Sequence, residues 1–97
     1  MSGLISYVFG LTGACLTLDT ACSTLLVAIH LGRAELWQGC GDALTLGVGL
    51  LGPAWNAGFA TQGMLSILGR CHTFDARGDG YARGESCVAI LLTGECA

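Results

Sequence analysis

An α/β fold with a mostly buried sheet is the class this sequence predicts. Three observations predict it. The chain reads in order as strand, helix, strand, helix, long polar loop and strand. Its strand-like runs carry little charge, as strands covered on both faces do. The stretch Asp19-Thr20-Ala21-Cys22-Ser23-Thr24 sets a cysteine where a short apolar, β-branched run gives way to a long apolar one.

Residues 4–9 fit a short strand or a short helix, and the pattern alone does not choose. Residues 10–13 contain a glycine turn signal. Residues 14–18 alternate weakly, with Cys15, Leu16 and Leu18 apolar and Thr17 β-branched, which predicts a strand ending at Asp19. Residues 23–37 are the best helix. Leu25, Leu26, Ala28, Ile29 and Trp37 would line one broad face, while Val27, Leu31, Ala34 and Leu36 spread onto the others. A helix apolar nearly all round is a buried one. Gly32 costs it about 1 kcal/mol relative to alanine but permits close packing. Arg33 and Glu35 mark the strip nearest solvent, and Gly39 fits a C-cap.

Residues 42–48 read as a strand buried on both faces, ended by Gly47, Gly49 and Gly52. Pro53 suits the first turn of a helix reaching Thr61. Residues 66–70 form a turn, and residues 73–85 a polar, glycine-rich loop. Residues 86–92 are a last strand, again apolar on both faces. No internal repeat or low-complexity linker is present.

The chain has 97 residues, one domain at most. Of these, 53% are hydrophobic and 11% charged, whereas soluble domains carry about 25% charge. So apolar a chain is either a greasy small domain or a segment whose neighbours cover it. The net charge is −3, with Arg33, Arg70, Arg77 and Arg83 as the only fixed cations. That excludes a nucleic-acid footprint. The N-terminus lacks the basic cluster of a signal peptide. Gly, Asp and Arg interrupt every apolar run before it could span a bilayer. Cys15, Cys22, Cys40, Cys71, Cys87 and Cys96 are irregularly spaced, form no C-x-x-C pair and lie mostly in apolar runs. The expectation is reduced, mostly buried thiols in a cytoplasmic protein rather than a disulfide framework.

Cys22 is the candidate nucleophile. The free amides and positive end of the following helix favour a thiolate there and the oxyanion of an attacked thioester. The helix field is worth about 0.3–1 kcal/mol at an exposed site, so a base or second oxyanion donor is needed as well. The competing reading is a packed, inert cysteine. His30 stands about 12 Å up the helix from Cys22 and cannot touch its sulfur. His30 is read as a core or interface histidine, and His72, in a loop that sequence cannot place beside Cys22, as structural or surface. Residues 75–86 faintly match a calcium loop, but Arg77 and Ser86 occupy ligand positions, so no metal is expected. Asp75, Asp79 and Arg83 read as one polar network shaping the glycine-rich loop, or as the lining of a substrate entrance.

Several stretches resemble one family: Val8-Phe9-Gly10-Leu11-Thr12-Gly13, Leu18-Asp19-Thr20-Ala21-Cys22-Ser23, Gly63-Met64-Leu65-Ser66, Gly69-Arg70-Cys71, Thr73-Phe74-Asp75 and Asp79-Gly80-Tyr81-Ala82-Arg83-Gly84-Glu85. They resemble the β-ketoacyl synthase domain of modular polyketide synthases and fatty acid synthases, over almost the whole chain. The resemblance implies a thiolase-like fold, present here in part: residues 1–97 as a partial N-terminal ketosynthase domain carrying the nucleophile elbow. It implies that Cys22 accepts an acyl chain as a thioester, with its own amide as one oxyanion donor. Decarboxylative Claisen condensation with a malonyl-type extender on acyl carrier protein would follow. The family's two catalytic histidines lie later in the domain, and neither His30 nor His72 matches them. Acyl carrier protein with its phosphopantetheine-linked substrate is the implied partner. A homodimer of the complete domain is also implied, with residues 15–18 near its two-fold axis, and no separate cofactor.

Departures from the family are Ala14 for a usual proline, Thr24 for a common serine, Ser86-Cys87 for a small pair, and Trp55-Asn56-Ala57-Gly58 for an acidic, aliphatic helix. The last bears on the channel wall or the dimer surface. Two other functions stay open: a catalytically inactive truncated paralogue or gene fragment, and a thiolase or acyl hydrolase using Cys22. The isolated chain is expected to be inactive.

Overall fold

A computed structural model describes residues 1–39 and 41–94. Helix α1 (Ser2–Phe9) comes first, followed by an irregular stretch and a single 3₁₀ turn, Ala21–Ser23, that leads into helix α2 (Thr24–Gln38). Strand β1 (Asp42–Gly49), helix α3 (Pro53–Thr61) and strand β2 (Ser86–Thr93) follow. The chain divides into two compact units, one of Met1–Gly47 with Val88–Ala97 and one of Val48–Cys87. No helix among the described residues is long and apolar enough to cross a membrane.

The choice left open for residues 4–9 resolves to helix, and the reason is its exit. Gly10 adopts φ 63, donates to the Tyr7 carbonyl at 3.3 Å, and lets Leu11 donate back to Ser6 at 2.9 Å. These are the paired bonds of a Schellman cap, which a left-handed glycine makes possible.

In the first unit, α2 lies on β1 and β2. A Cβ added to Gly32 would sit 3.2 Å from Leu92 Cδ1 and from Thr45 Cγ2, and Gly47 faces Leu25 at the same distance. Leu36 reaches Gly94. Leu25, Gly32 and Leu36 form one helical stripe, so Gly32 does permit close packing. Leu26 and Trp37, expected on the buried face, are 71% and 73% exposed. Each lies too far round the cylinder from that stripe, and Arg33 instead covers Trp37, 4.3 Å from its ring centre.

The strands pair antiparallel. Thr45 Oγ1 donates to the Ile90 carbonyl at 3.2 Å and Gly94 donates to Gly41 at 3.0 Å, so partner numbers fall as β1 rises. The charge-poor runs predict both strands buried on both faces. Only one face is covered. Ala43, Thr45 and Gly47 turn toward α2, and Thr45 is 6% exposed. Leu44, Val48 and Leu91 turn to the open side. Alternation sends neighbouring side chains to opposite faces, and one helix can cover only one of them. No hydrophobic side chain among the described residues is buried.

Two further expectations are corrected. Residues 14–18 are not a strand, because no neighbouring strand supplies ladder hydrogen bonds. Cys15, Cys22, Cys71 and Cys87 are free as expected, but exposed rather than buried. Cys40 and Cys96 lie outside the described residues.

In the second unit, α3 begins at Pro53 and ends at Thr61, as the proline predicts. The glycine-rich loop closes on itself. Ser66 donates to Tyr81 at 3.1 Å and Tyr81 to Met64 at 3.2 Å. Gly80, at φ 139, makes this possible, since a Cβ there would lie 2.5 Å from Leu65 C and Ser66 N.

Candidate active site

Cys22 occupies the middle of the 3₁₀ turn that feeds α2, with its thiol exposed. The entry is loop-to-helix, since residues 14–18 are not a strand. Ala21 before it takes φ 57, a left-handed conformation rare for a residue with a Cβ. Such strain costs about 1–3 kcal/mol and survives where neighbours over-determine it. Here they do. The Ala21 amide donates to Asp19 Oδ1 at 3.1 Å, and its carbonyl accepts from Thr24 Oγ1 at 2.7 Å. The Thr20 amide donates to Thr24 Oγ1 at 2.9 Å, while Ser23 Oγ donates toward the Thr20 carbonyl at 2.9 Å and its hydroxyl at 2.8 Å. Asp19, Thr20, Ser23 and Thr24 thus brace the turn among themselves. None of these bonds uses the Cys22 amide or thiol. Ser23, the N-cap of α2, places no side-chain oxygen on the helix's first amides. The Thr24 amide donates to the Ala21 carbonyl, which joins the 3₁₀ turn to the helix.

Neither histidine belongs to the Cys22 turn. His30 is exposed on α2. His72 belongs to the second unit, where its side chain is 10% exposed and its Nδ1 lies 3.3 Å from Asp79 Oδ1.

Asp75, Asp79 and Arg83 form three separate anchors rather than the single network expected from sequence. Asp75 takes both ends of Arg77, at 3.0 Å from Nε and 2.6 Å from Nη2. That guanidinium, then the Arg77 amide, holds the Asp75 carboxyl below its ordinary range against desolvation. Asp79 accepts the Ile67 amide at 3.1 Å. Its carboxyl is also held low, first by the Ser66 hydroxyl, with the Ile67 amide and the His72 charge adding to it against burial. Arg83 donates to Asn56 Oδ1 at 3.1 Å and to the Leu50 carbonyl at 3.2 Å, and lies 4.9 Å from the Phe59 ring centre. Glu85 accepts the Leu51 amide at 2.8 Å. A groove of about 230 Å³ lies among Asn56, Ser66, Tyr81 and Arg83, so the loop does line a concavity, and Asn56 of the divergent helix forms part of its wall.

One thiol escaped sequence reasoning. Hydrogen bonds from Ser2 and then Ser6 draw the Cys15 thiol below its ordinary range. The signal was the i, i+4 spacing of the two serines, visible only once residues 2–9 are read as helix.

Residues 1–95 match the family model described as beta-ketoacyl synthase, N-terminal domain. The chain is 47% identical over 94 residues to citrinin polyketide synthase of Monascus ruber, covering 95% of this chain and 4% of that protein. It is 48% identical over 93 residues to clavatol synthase claF of Penicillium crustosum, covering 94% and 4%. It is 47% identical over 93 residues to a mycocerosic acid synthase-like polyketide synthase of Mycobacterium tuberculosis, again covering 94% and 4%. Among solved structures, it is similar to the oxazolomycin ketosynthase domain OzmH KS7 of Streptomyces albus JA3453. That match has a TM-score of 0.89 and 37% identity, and covers 95% of this chain and 16% of that one. The chain therefore spans about 4% of the length of these curated relatives. It belongs to the β-ketoacyl synthase N-terminal domain family, with the α/β fold of part of a ketosynthase domain homologous to those of polyketide and fatty acid synthases.

Proposed function

We propose that Cys22 is the acyl acceptor of a β-ketoacyl synthase, and that residues 1–97 serve as part of one such catalytic domain. The observation that carries this is the braced turn: an exposed thiol at a strained, hydroxyl-tied entry to a 15-residue helix whose first amides carry no side-chain cap. The Cys22 thiolate would attack the carbonyl of a carrier-bound thioester, and the carrier's thiol would leave with a proton. The acyl group then rests on Sγ. The family membership supports the next step, in which a malonyl-type extender on acyl carrier protein loses carbon dioxide and its carbanion attacks that thioester, freeing Cys22. By the family likeness neither His30 nor His72 is one of the two histidines the condensation step uses, so that step would draw on other residues of the domain. A homodimer of the complete domain and a phosphopantetheine-bearing carrier are the partners this chemistry asks for.

The test is a chimera in which residues 1–95 replace the homologous stretch of a working ketosynthase. Condensation product from the chimera, and none from its Cys22→Ala variant, supports the proposal. A folded chimera whose product is unaffected by Cys22→Ala overturns it.

One observation favours a second reading for the chain by itself, a non-enzymatic truncated paralogue. The described residues bury no hydrophobic side chain, so the isolated chain lacks the core that would hold a site to catalytic precision. Urea unfolding separates the readings, since a cooperative transition argues against a broken copy.

A further inference from the structure

One hydroxyl in the turn before α2 grips two backbone groups at once. Thr24 Oγ1 accepts the Thr20 amide at 2.9 Å and donates to the Ala21 carbonyl at 2.7 Å. The bridge closes a ring through the backbone from the Thr20 nitrogen to the Ala21 oxygen. With the peptide bond planar, the soft torsions inside that ring are the Thr20 ψ, at 32, the Ala21 φ, at 57, and the Ala21 ψ. The left-handed φ of Ala21 is therefore held within a single side-chain bridge.

The other side chains of the turn hold a different peptide plane. Asp19 Oδ1 takes the Ala21 amide at 3.1 Å, and Ser23 Oγ donates to the Thr20 carbonyl at 2.9 Å, so those two fix the plane between residues 20 and 21. Among the side chains of the turn, Thr24 alone holds the next plane, between residues 21 and 22. Its backbone amide adds to the grip on the same carbonyl. In a planar trans peptide the N–H points away from the C=O that precedes it. Fixing the Ala21 carbonyl thus fixes the direction of the Cys22 N–H. None of the turn's side-chain bonds takes that N–H.

The residue type suits the task. A threonine in the first turn of a helix can turn its hydroxyl back to the carbonyl three residues earlier, and its β-branch leaves that hydroxyl few positions.

We propose that Thr24 is a positioning residue for acyl transfer: its hydroxyl, bridging the Thr20 amide and the Ala21 carbonyl, aims the Cys22 amide at the oxygen of the thioester under attack. The proposal rests on Cys22 as the acyl acceptor. In that step the Cys22 sulfur bonds to the thioester carbon, and the π electron pair moves onto the carbonyl oxygen. Collapse restores the C=O and breaks the bond to the pantetheine sulfur, which leaves as a thiol with the proton that Cys22 gave up. The charge that develops on oxygen is what an amide already in place stabilises. Thr24 acts on it only through the backbone.

The test compares two reactions of Cys22 in the full chain at one pH, each mapped by mass spectrometry. Acylation by a short acyl-pantetheine thioester passes through an oxyanion, and alkylation by iodoacetamide does not. Both depend on access to the thiol and on its ionisation, so their ratio isolates the amide. Thr24→Val keeps the shape and deletes the hydroxyl. It should lower the ratio of acylation to alkylation by about tenfold to a hundredfold, up to the loss that follows removal of one oxyanion donor, with the helical circular dichroism kept. Thr24→Ser keeps the hydroxyl without the β-branch and should stay within about threefold of wild type. A Thr24→Val ratio equal to wild type, a Thr24→Ser ratio as low as that of Thr24→Val, or loss of the helical signal together with the ratio overturns the proposal. No acylation of Cys22 in the wild-type chain overturns the acceptor reading itself, and the proposal with it.

Discussion

Replacing Gly80 by alanine tests the loop geometry in the most direct way. The added Cβ would lie 2.5 Å from Leu65 C and Ser66 N and 2.8 Å from Met64 O. These are backbone atoms, so no side-chain rotation relieves the contact. The backbone at Gly80 sits at φ 139, which an alanine adopts only under strain. Strain of that kind costs about 1–3 kcal/mol. Relief requires the two segments to part, which loses the 3.1 Å Ser66–Tyr81 and 3.2 Å Tyr81–Met64 bonds, each worth about 0.5–1.5 kcal/mol. The chain takes the cheaper route, or a compromise, and the expected cost is about 1–3 kcal/mol. Amide exchange at Ser66 and Tyr81 should then speed up by about fivefold or more. Gly84→Ala is the control, since its Cβ meets nothing within 4 Å. Equal exchange rates in Gly80→Ala and wild type would refute the account of how this loop closes.

Other perturbations have clear expected signs. Gly32→Val should push α2 off Thr45 and Leu92 and lower helix stability by about 1–3 kcal/mol in thermal melts followed by circular dichroism. Gly58→Ala, with open space on α3, should raise it by up to about 1 kcal/mol. Asp75 and Asp79 have carboxyls held below their ordinary range when folded. Their contribution is therefore present above about pH 4, where an unfolded aspartate is ionised, and is lost as pH falls through the lower folded values. Protection of the Ile67 and Arg77 amides should decline on that acid limb, and Asp79→Asn should remove the decline at Ile67. Cys15 should react with an alkylating probe at lower pH than Cys71 or Cys87, and a Ser2→Ala, Ser6→Ala double variant should erase the difference.

What the sequence disclosed, and what it hid, follows from the range of the forces involved. Pro53 and the Gly10 turn act within a few residues, and both mark real helix boundaries. The cysteine at the head of α2 was equally legible, because capping and helix onset are local. Residues 14–18 misled because apolar alternation records a tendency to be extended, whereas a strand also needs a hydrogen-bonding neighbour. The strands misled in a related way. Their outward residues Leu44, Val48 and Leu91 are as apolar as the inward ones, so periodicity alone could not show that α2 covers one face only. The three charged residues of the glycine-rich loop looked like one network because sequence gives their proximity along the chain and not their directions. The Ser66–Asp79–His72 cluster depends on closure of that loop, which no local pattern encodes.

Acyl transfer to the isolated chain bears most directly on the central claim. The chain is incubated with a short acyl-pantetheine thioester, and the acyl adduct is mapped by mass spectrometry to individual cysteines. The account predicts slow acylation of Cys22 that exceeds that of Cys71 and Cys87 and vanishes in Cys22→Ala, with any adduct on the activated Cys15 unchanged by that substitution. Adducts spread evenly over the exposed thiols, or undiminished in Cys22→Ala, would contradict it.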